Sequence, residues 1–295
     1  MDVVLIVNPF ASEVTETRVR AVERELARAA TVRTLLTERP GHAVELAREA
    51  GGDAVVVYSG DGGFNEALNG VAREVPLGFL PGGGTNVLPR ALGLPRNAAA
   101  AARRVAAALE EGRTRRIGLG RVNGRRFAFA AGLGLDAELV RRVDALGRRD
   151  DGRRPGDLSY LAEAVRLLSG RRGQFEPVLE VRGLGRAAFA LIANTDPYSY
   201  VGAVPLHVAP EARFELGLDL VAPHRVRAGT LPRLLRYAFT GRGQAKARDV
   251  IYAHDLDRIE IACDGALPLQ ADGEDLGDVE RAVFEAERSA VRVLV

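Results

Sequence analysis

Three glycine-rich loops carry most of the polar side chains in the first third of the chain. They are Asn8–Ser12, Ser59–Gly70 and Pro81–Asn86, and each follows a short apolar run. Glycine lets a backbone approach an anion closely, and amides at a helix N-terminus direct donors and partial positive charge at phosphate. Each loop alone also fits an ordinary tight turn between a strand and a helix. Three in succession predict a phosphate-binding surface.

Carboxylates accompany these loops. Asp61 and Glu66 lie in the second loop, and Asp272 and Glu274 flank Gly273 late in the chain. Phosphoryl transfer to an alcohol needs one carboxylate to accept the hydroxyl proton and others to hold Mg²⁺. Because Mg²⁺ also takes phosphate and water oxygens, a sparse set of Asp and Glu is enough. Read alone, Asp272-Gly273-Glu274 fits a surface hairpin turn; together with the three loops it predicts a catalytic segment.

The composition excludes several classes of protein. Of the 41 basic side chains 40 are arginine, and the one lysine is Lys246, in Gln-Ala-Lys-Ala-Arg. Walker-type phosphate loops, protein kinases and Schiff-base enzymes need a lysine in a setting that Lys246 does not have. The formal charge of +2 gives no overall basic excess for nucleic acid. The single cysteine, Cys263, cannot form an intramolecular disulfide, which permits a reducing compartment.

The elements that must position the three loops are a parallel sheet and its helices. Apolar runs alternate with helical patterns, which indicates a parallel sheet covered on both faces. Ligands bind at the carboxyl ends of such strands, so the loops are expected to lie side by side. The predicted strands are Val3–Val7, Val32–Leu36, Ala54–Tyr58 and Leu77–Leu80.

From about Arg115 the pattern changes to short apolar runs separated by turns, which is typical of an antiparallel sandwich. Asn123-Gly124 is a strong hairpin signal, because both central positions of a type I′ turn need positive φ. Two predicted helices, Asp136–Leu146 and Leu158–Leu168, interrupt the strands. The predicted strands are Ile117–Val122, Phe127–Ala131, Pro177–Val181, Ala187–Ala193, Leu216–Val221, Val250–Tyr252, Arg258–Ala262 and Leu267–Ala271.

We therefore expect two domains: an α/β domain over residues 1–118 and a β-sandwich domain over residues 119–289. A final strand over residues 290–295 could return to either domain. Arg148–Gly156, rich in charge, Gly and Pro, is the best linker candidate. We expect no signal peptide and no transmembrane segment, since no apolar run approaches the roughly 18 residues that a span requires.

The loops resemble the diacylglycerol kinase catalytic-domain family, which includes bacterial lipid kinases and the sphingosine kinases. The family signature Gly-Gly-Asp-Gly-Thr-x-Asn-Glu-x-x-Asn-Gly is similar to Ser59–Gly70, with Ser59 at the first glycine and Gly63 at the threonine. Asn8–Ser12 and Pro81–Val87 resemble two further family loops, although Gly84 stands at a threonine position and Val87 replaces an aspartate. Gly132–Ala137 and Asp272–Glu274 follow in the family order.

The resemblance implies that residues 1–118 form an N-terminal doubly wound parallel-sheet nucleotide domain that binds ATP. It implies that residues 119–289 form a C-terminal antiparallel β-sandwich domain for the lipid substrate. It also implies Mg²⁺-dependent transfer of the ATP γ-phosphoryl group to a lipid hydroxyl, with diacylglycerol the leading acceptor. Asp272 is the implied base, Asp61 is a second candidate, and Asp61 and Glu274 are the implied metal ligands. The implied nucleotide-binding residues are Asn8, Pro9, Ser12, Thr37, Gly60, Asp61, Gly62, Gly63, Asn65, Glu66, Gly83, Gly84, Thr85 and Asn86.

Other functions remain open at this point. The acceptor could be sphingosine, ceramide or another lipid alcohol. An NAD kinase shares the Gly-Asp-Gly loop, and a non-catalytic nucleotide- or lipid-binding regulator fits the substitutions at Gly63, Gly84 and Val87. Gly132–Ala137 also matches a dinucleotide-binding pattern, but no strand ending in an acid follows. Some members of the similar family hold a structural magnesium ion around a segment that resembles Pro210–Leu220. We do not expect that ion here, because Glu215-Leu216 stands where an Asp-Asp or Asp-x pair is expected.

A lipid kinase meets its substrate at a bilayer, so we expect a cytoplasmic protein that associates peripherally with membrane. Between residues 141 and 172 nine arginines outnumber five acidic residues, and anionic lipid attracts each nearby cation by about 1 kcal/mol. This segment could face the membrane or form two solvated helix faces. The predicted acyl-chain pocket, or alternatively sandwich core, comprises Phe127, Phe129, Leu133, Leu135 and Leu139.

Overall fold

The computed structural model describes residues 1–72, 74–147, 157–170 and 172–295, with the side chains of residues 157–161 left out. The predicted linker Arg148–Gly156, and with it much of the arginine-rich segment, lies outside the described residues. The chain divides into two compact units. Unit 1 comprises Met1–Gly118 and Ser289–Val295, and unit 2 comprises Leu119–Arg288.

Unit 1 is built on a parallel sheet, which agrees with the predicted fold class. Its strands are β1 (Asp2–Val7), β2 (Thr31–Leu36), β3 (Ala54–Ser59) and β4 (Leu77–Pro81). Its helices are α1 (Glu16–Leu26), α2 (His42–Glu49), α3 (Asp61–Gly70), α4 (Val87–Ala91) and α5 (Ala98–Glu110). The strand order is β2-β1-β3-β4, and the end of the last strand of the chain pairs in parallel with β4 through Val293 and Leu77.

Both faces of this sheet are covered, as continuous apolar strands require. Every residue of β3 is buried, and so is β1 after Asp2. α1 and α5 pack together over the face that presents Leu5 and Val56. On α3, Phe64 meets Phe79 of β4 edge to face, with ring centroids 5.4 Å apart. The strand ends between these helix layers are therefore rigidly supported.

Unit 2 is an antiparallel β-sandwich. Its strands are β5 (Arg115–Val122), which starts in unit 1, β6 (Arg125–Phe127), β7 (Ala130–Leu133), β8 (Leu179–Val181), β9 (Gly185–Ala187), β10 (Ala190–Ala193), β11 (Ser199–Val201), β12 (Val204–Leu206), β13 (Leu218–Pro223), β14 (Val250–Leu256), β15 (Arg258–Ala271) and β16 (Glu274–Val293), which ends in unit 1. Its helices are α6 (Leu135–Ala145), α7 (Asp157–Gly170), α8 (Leu231–Thr240) and a 3-10 turn at Gln244–Lys246.

The predicted hairpin at Asn123-Gly124 is confirmed: φ is 47° and 91°, and β5 and β6 pair on either side. One apolar core joins side chains from β5 to β16, among them Phe127, Leu133, Leu220 and Phe284. Phe127 and Leu133, suggested as an acyl-chain pocket, therefore belong to the sandwich core, the alternative stated for them.

Four strand predictions need correction. The predicted strand Phe127–Ala131 is split between the end of β6 and the start of β7, around Ala128 and Phe129. The two runs Arg258–Ala262 and Leu267–Ala271 form one strand, β15, with an irregular register between them. Ala187–Ala193 instead breaks into β9 and β10, around Ala188 and Phe189. The final strand is the end of the 20-residue β16. Among the helices that the structure describes, none is long and apolar enough to cross a membrane.

Candidate functional site

The loops after β1, β3 and β4 lie side by side, because β3 pairs with both β1 and β4. Backbone hydrogen bonds join them: Gly82 N donates to Ser59 O at 2.7 Å, and Glu13 N donates to Gly82 O at 2.8 Å. Gly60 and Gly83 lie so close that a Cβ on Gly83 would be 2.8 Å from the Cα of Gly60. The glycines therefore permit an approach that side chains would prevent. The structure brings these three predicted loops of unit 1 together.

Asp61 and Glu66 hold helix N-termini in unit 1. The Asp61 carboxylate accepts hydrogen bonds from Val87 N at 3.0 Å and Leu88 N at 3.2 Å, at the start of α4. The Glu66 carboxylate accepts from Gly41 N at 2.9 Å and Ala43 N at 3.1 Å, at the start of α2. Since the N-terminal amides of a helix otherwise lack acceptors, both carboxylates stabilise the loops around the strand ends.

The third loop is closed by Asn86. Its Oδ1 accepts from Gly83 N at 2.8 Å and its Nδ2 donates to Gly83 O, while Asn86 itself has a left-handed φ of 52°. A non-glycine residue in this conformation is strained unless its surroundings hold it there. Gly84 and Thr85 occupy the tip of this ring, and Gly84 is exposed. Backbone atoms of the tip are thus presented to solvent in a fixed conformation.

Ser59 and Gly63 depend on each other. Ser59 Oγ is buried without a hydrogen-bond partner among the described residues. A Cβ placed on Gly63 would lie 2.1 Å from that oxygen. The Ser59 hydroxyl therefore fills the space into which a threonine at position 63 would project. The two departures from the family pattern, serine for glycine and glycine for threonine, are sterically coupled.

The remaining predicted nucleotide residues surround the same strand ends. Asn8 follows β1 and its Oδ1 accepts from Phe10 N at 2.9 Å, with Pro9 exposed and Ser12 half-buried. Thr37 follows β2 and is buried. Asn65 is fully buried within α3, where its Oδ1 accepts from Asn69. Asn65 thus lies inside the helix packing, whereas Asn8 and Ser12 lie at the surface of the rim.

A cavity of about 400 Å³ in unit 1 opens beside the third loop. Gly83, Gly84, Thr85 and Asn86 line it, together with residues of α1 and of the start of α5. Arg18, Arg90 and Arg96 add positive charge to its walls, although Arg18 is ion-paired with Glu13. The cavity is large enough for part of a ligand. Of the predicted nucleotide residues, only those of the third loop line it.

In unit 2, Asp272 is a turn residue whose carboxylate points inwards. Asp272 and Gly273 have φ values of 50° and 78° and connect β15 to β16, so the segment is a hairpin turn. Asp272 is nevertheless only 4% exposed, and its carboxylate accepts from the backbone amides of Ala128, Phe129 and Ala130 at 2.6, 3.0 and 3.2 Å. The three amide donors fix the orientation of the carboxylate.

Glu274 follows the turn and is ion-paired with Arg125 in β6. Among the described residues no group of three or more His, Cys, Asp and Glu side chains could hold a metal ion. A metal at Asp61 or Glu274 would therefore need most of its ligands from phosphate and water, as Mg²⁺ commonly does.

Asp136 forms a polar network beside the same turn. Its Oδ2 accepts from Tyr198 Oη at 2.7 Å and Gln270 Nε2 at 2.6 Å, and Gln270 Oε1 accepts from Gly273 N at 2.9 Å. Burial raises the pKa of Asp136, and the two hydrogen bonds lower it in part. Gly132 leaves room for the carboxylate, because a Cβ there would lie 2.3 Å from Oδ2. The network links α6 to the hairpin that carries Asp272.

Two histidines pair with aspartates in unit 2. His207 Nδ1 lies 2.7 Å from Asp196 Oδ2, and His254 Nδ1 lies 2.8 Å from Asp219 Oδ1. Burial raises the pKa of Asp219, while His254 lowers it. The partners are 11 and 35 positions apart, so no spacing in the sequence signals them. Asp219 lies in the segment considered for a structural metal, and its carboxylate is paired with the imidazole of His254.

Comparisons with known proteins cover both units. The profile of the diacylglycerol kinase catalytic domain matches residues 2–122, and that of the YegS C-terminal NAD kinase beta sandwich-like domain matches residues 130–295. A protein named diacylglycerol kinase from Bacillus subtilis (strain 168) is 29% identical over 249 residues, which are 82% of this chain and 78% of that protein.

Solved structures that share the fold include two kinases. A diacylglycerol kinase from Bacillus anthracis str. Sterne superposes with a TM-score of 0.71 at 18% identity, over 99% of this chain and 96% of that one. An NAD kinase from Archaeoglobus fulgidus in complex with ATP gives a TM-score of 0.51 at 14% identity, over 99% and 93%.

Proposed function

Because the chain belongs to the family that joins a diacylglycerol kinase catalytic domain to a YegS-type β-sandwich domain, we propose that it is an ATP-dependent lipid kinase that phosphorylates a lipid hydroxyl. The observation that carries the proposal is the convergence of three glycine-rich loops at the carboxyl ends of β1, β3 and β4. This is the edge at which parallel α/β sheets bind their ligands.

ATP is the proposed phosphoryl donor, and unit 1 is its proposed binding domain. Backbone amides of the three loops would bind the phosphates, helped by arginine, so that no lysine is required. The ATP complex of the structurally similar NAD kinase supports this choice of donor. The proposed contacts are among those expected from the sequence: Asn8, Thr37, Gly60–Gly63 and Gly83–Asn86.

Mg²⁺ is the proposed metal, and Asp61 is its proposed protein ligand. One half-buried carboxylate fits an ion that takes its other ligands from phosphate and water. The hydrogen bonds of Asp61 to the amides of Val87 and Leu88 would have to rearrange for that role. When bound, Mg²⁺ would neutralise charge on the transferring phosphoryl group. Glu274 stays a second predicted ligand, and its ion pair with Arg125 would have to rearrange for that role.

Asp272 is the proposed base for the lipid hydroxyl. Three backbone amides orient its carboxylate, and a carboxylate can accept a proton. Asp61 remains the alternative base. Because phosphoryl transfer depends mainly on positioning and charge neutralisation, a weakly basic carboxylate is adequate.

Diacylglycerol is the proposed acceptor, since the relative from Bacillus subtilis carries that name. Unit 2 is the proposed lipid-substrate domain. A diacylglycerol substrate would place the protein at the cytoplasmic face of a membrane, as a peripheral protein.

The test is transfer of label from γ-labelled Mg-ATP to a panel of acceptors: dioctanoylglycerol, sphingosine and ceramide in detergent micelles, and NAD in solution. Label on dioctanoylglycerol is expected. Asp61→Asn and Asp272→Asn should each lower turnover by roughly 100-fold or more. Asp53→Asn and Asp255→Asn are matched controls, because each carboxylate also accepts a backbone amide, from Asp2 and Gly217 respectively.

Label on no lipid would overturn the lipid kinase proposal, and label on NAD alone would replace it with NAD phosphorylation. Full activity of Asp272→Asn would move the proton acceptor to Asp61 or elsewhere. Equal losses in the Asp53 and Asp255 controls would show that the variants act through folding.

A further inference from the structure

A basic segment lies between β13 and β14. Residues 224–248 contain seven basic side chains and no acidic one, a charge of +7 in a chain whose formal net charge is +2. The rest of the chain is therefore net negative, at −5. The only lysine of the protein, Lys246, belongs to this segment. Positive charge is concentrated here although the molecule as a whole is nearly neutral.

Most of these charges face solvent. Arg225 pairs with Glu176 and Arg233 with Asp249. The other five basic residues are exposed and have no ion pair among the residues that the structure describes. They are Arg227, Arg236, Arg242, Lys246 and Arg248.

Helix α8 lies within this segment. Some of its apolar side chains pack against the protein, and others are exposed to solvent. Leu231 and Leu234 contact a small core of Phe175, Ala188, Phe189 and Val226. Leu235 and Phe239, at i and i+4 on the adjoining face, are 47% and 45% exposed. Residues four apart on a helix are neighbours, so these two large side chains form one exposed apolar ridge.

The ridge and the charges occur together. Arg236 follows Leu235 directly, and Arg242, Lys246 and Arg248 follow the end of α8. A short helix with exposed Leu and Phe beside Arg and Lys is the pattern of helices that lie in a membrane interface, apolar face down. Long basic side chains can reach lipid phosphates while their stems cover apolar surface.

We propose that α8 and the basic segment around it form a docking surface for bilayers that contain anionic lipids. This deepens the proposed function, on which it rests, since a lipid kinase must reach its acceptor in a membrane. Leu235 and Phe239 enter the interface, and Arg236, Arg242 and Lys246 contact anionic headgroups. The attraction to each cation near such a surface makes charge the larger contribution.

The test is co-sedimentation of the full chain with vesicles of phosphatidylcholine alone, or with about one third phosphatidylglycerol, at low and high salt. Binding should need the anionic lipid and weaken with salt. Arg236→Glu/Arg242→Glu/Lys246→Glu should lower the partition coefficient by roughly 100-fold, and Leu235→Ser/Phe239→Ser by roughly tenfold or more.

Matched controls separate the surface from general effects. Arg33→Glu/Arg48→Glu/Arg104→Glu changes net charge equally at exposed arginines of unit 1, and Leu184→Ser alters a 44% exposed leucine in unit 2. Both should bind as the unaltered protein does. Equal losses in the controls would overturn the proposal, as would unchanged binding of the α8 variants.

A second copy of the chain is the rival occupant of the ridge. If Leu235→Ser/Phe239→Ser converts a dimer into a monomer in light scattering and leaves vesicle binding unchanged, the membrane proposal is wrong. Micellar dioctanoylglycerol turnover tests the kinase separately. Vesicle binding through α8 without turnover would retain the docking surface and reject the activity.

Discussion

Three carboxylates, those of Asp61, Glu66 and Asp272, each accept hydrogen bonds from two or three backbone amides. The backbone thereby orients the carboxylate, and the carboxylate holds a loop. Replacing such a residue by its amide places an NH₂ donor opposite N–H donors. A loss of activity in these variants must therefore be weighed against a loss of stability of about 1–3 kcal/mol.

The Asp136 network predicts a pH dependence of stability. The pKa of Asp136 is raised in the folded protein, so its protonated form stabilises unit 2 at low pH. That stabilisation is lost as the pH rises through the raised pKa. Asp136→Asn keeps an oxygen acceptor for Tyr198 and Gln270 without the charge. The free energy of unfolding of the variant, minus that of the unaltered protein, should therefore increase as the pH rises. The total increase should be about 1.4 kcal/mol per unit by which the pKa of Asp136 is raised.

Urea unfolding of unit 2 between about pH 4 and pH 8 measures this difference. Asp257→Asn, at an exposed carboxylate of the same unit, is the control and should show no comparable rise. A difference that shrinks with increasing pH would mean that Asp136 is stabilised in its ionised form.

The sequence located the polar residues of unit 1 because they cluster in contiguous loops. It did not reveal which of them support the fold. Glu66 was expected at the nucleotide, and the structure shows it bound to the amides of Gly41 and Ala43. The Asp196–His207 and Asp219–His254 pairs could not be predicted, since strand pairing alone brings these residues together.

At the scale of elements, the junction of β3 and α3 depends on Ser59 and Gly63. Gly63→Thr alone should destabilise unit 1 by about 1–3 kcal/mol, because its Cβ would overlap Ser59 Oγ. Ser59→Gly/Gly63→Thr restores the family pattern and should recover most of the loss. Chemical unfolding of the two single variants and the double variant gives a coupling energy, expected to exceed about 1 kcal/mol.

Gly265→Thr is the control for introducing a threonine, since nothing lies within 4 Å of a Cβ there. Additive effects of Ser59→Gly and Gly63→Thr would show that the strand end relaxes and that the two positions are independent.

The strands of unit 1 were predicted to within a residue or two, because three of them are continuous apolar runs between polar loops and β2 keeps Val32, Leu35 and Leu36 around Arg33 and Thr34. β16 was predicted only at its end. Charged and apolar side chains are mixed along most of its 20 residues, without a continuous apolar run and without a regular alternation. The sequence therefore gives no clear strand signal before the last residues. α8 was not predicted, because Pro232 and two arginines interrupt a short apolar stripe that is half solvent-exposed.

At the scale of the whole molecule, the predicted fold class and family are confirmed. They could be predicted because the order of the motifs and the pattern of apolar runs extend along most of the chain. The acceptor lipid could not, since acceptor choice depends on the shape of a pocket. The arginine-rich segment from 141 to 172 is partly outside the described residues, and its membrane role stays a prediction. α8 offers a different surface for the same purpose.

The end of β16 is expected to stabilise unit 1 strongly. Val291, Val293 and Leu294 are at most 2% exposed, and Leu294 N donates to Leu77 O at 2.8 Å. Val293→Ala/Leu294→Ala should cost several kcal/mol, from lost burial and the cavities left behind. Hydrogen exchange of the β4 amides should accelerate before exchange in β13 changes. Val295→Ala, at a less buried position, is the control; equal acceleration in both units would contradict the expectation.

The position of that strand also imposes an order on synthesis. β4 pairs with β3 on one side, and its neighbour on the other side comes from residues 289–295, which are translated after the whole of unit 2. Until then β4 is an open sheet edge in the nascent chain, able to pair with other strands. Most of unit 1 therefore leaves the ribosome before unit 2, but its sheet can be completed only after unit 2 has been translated.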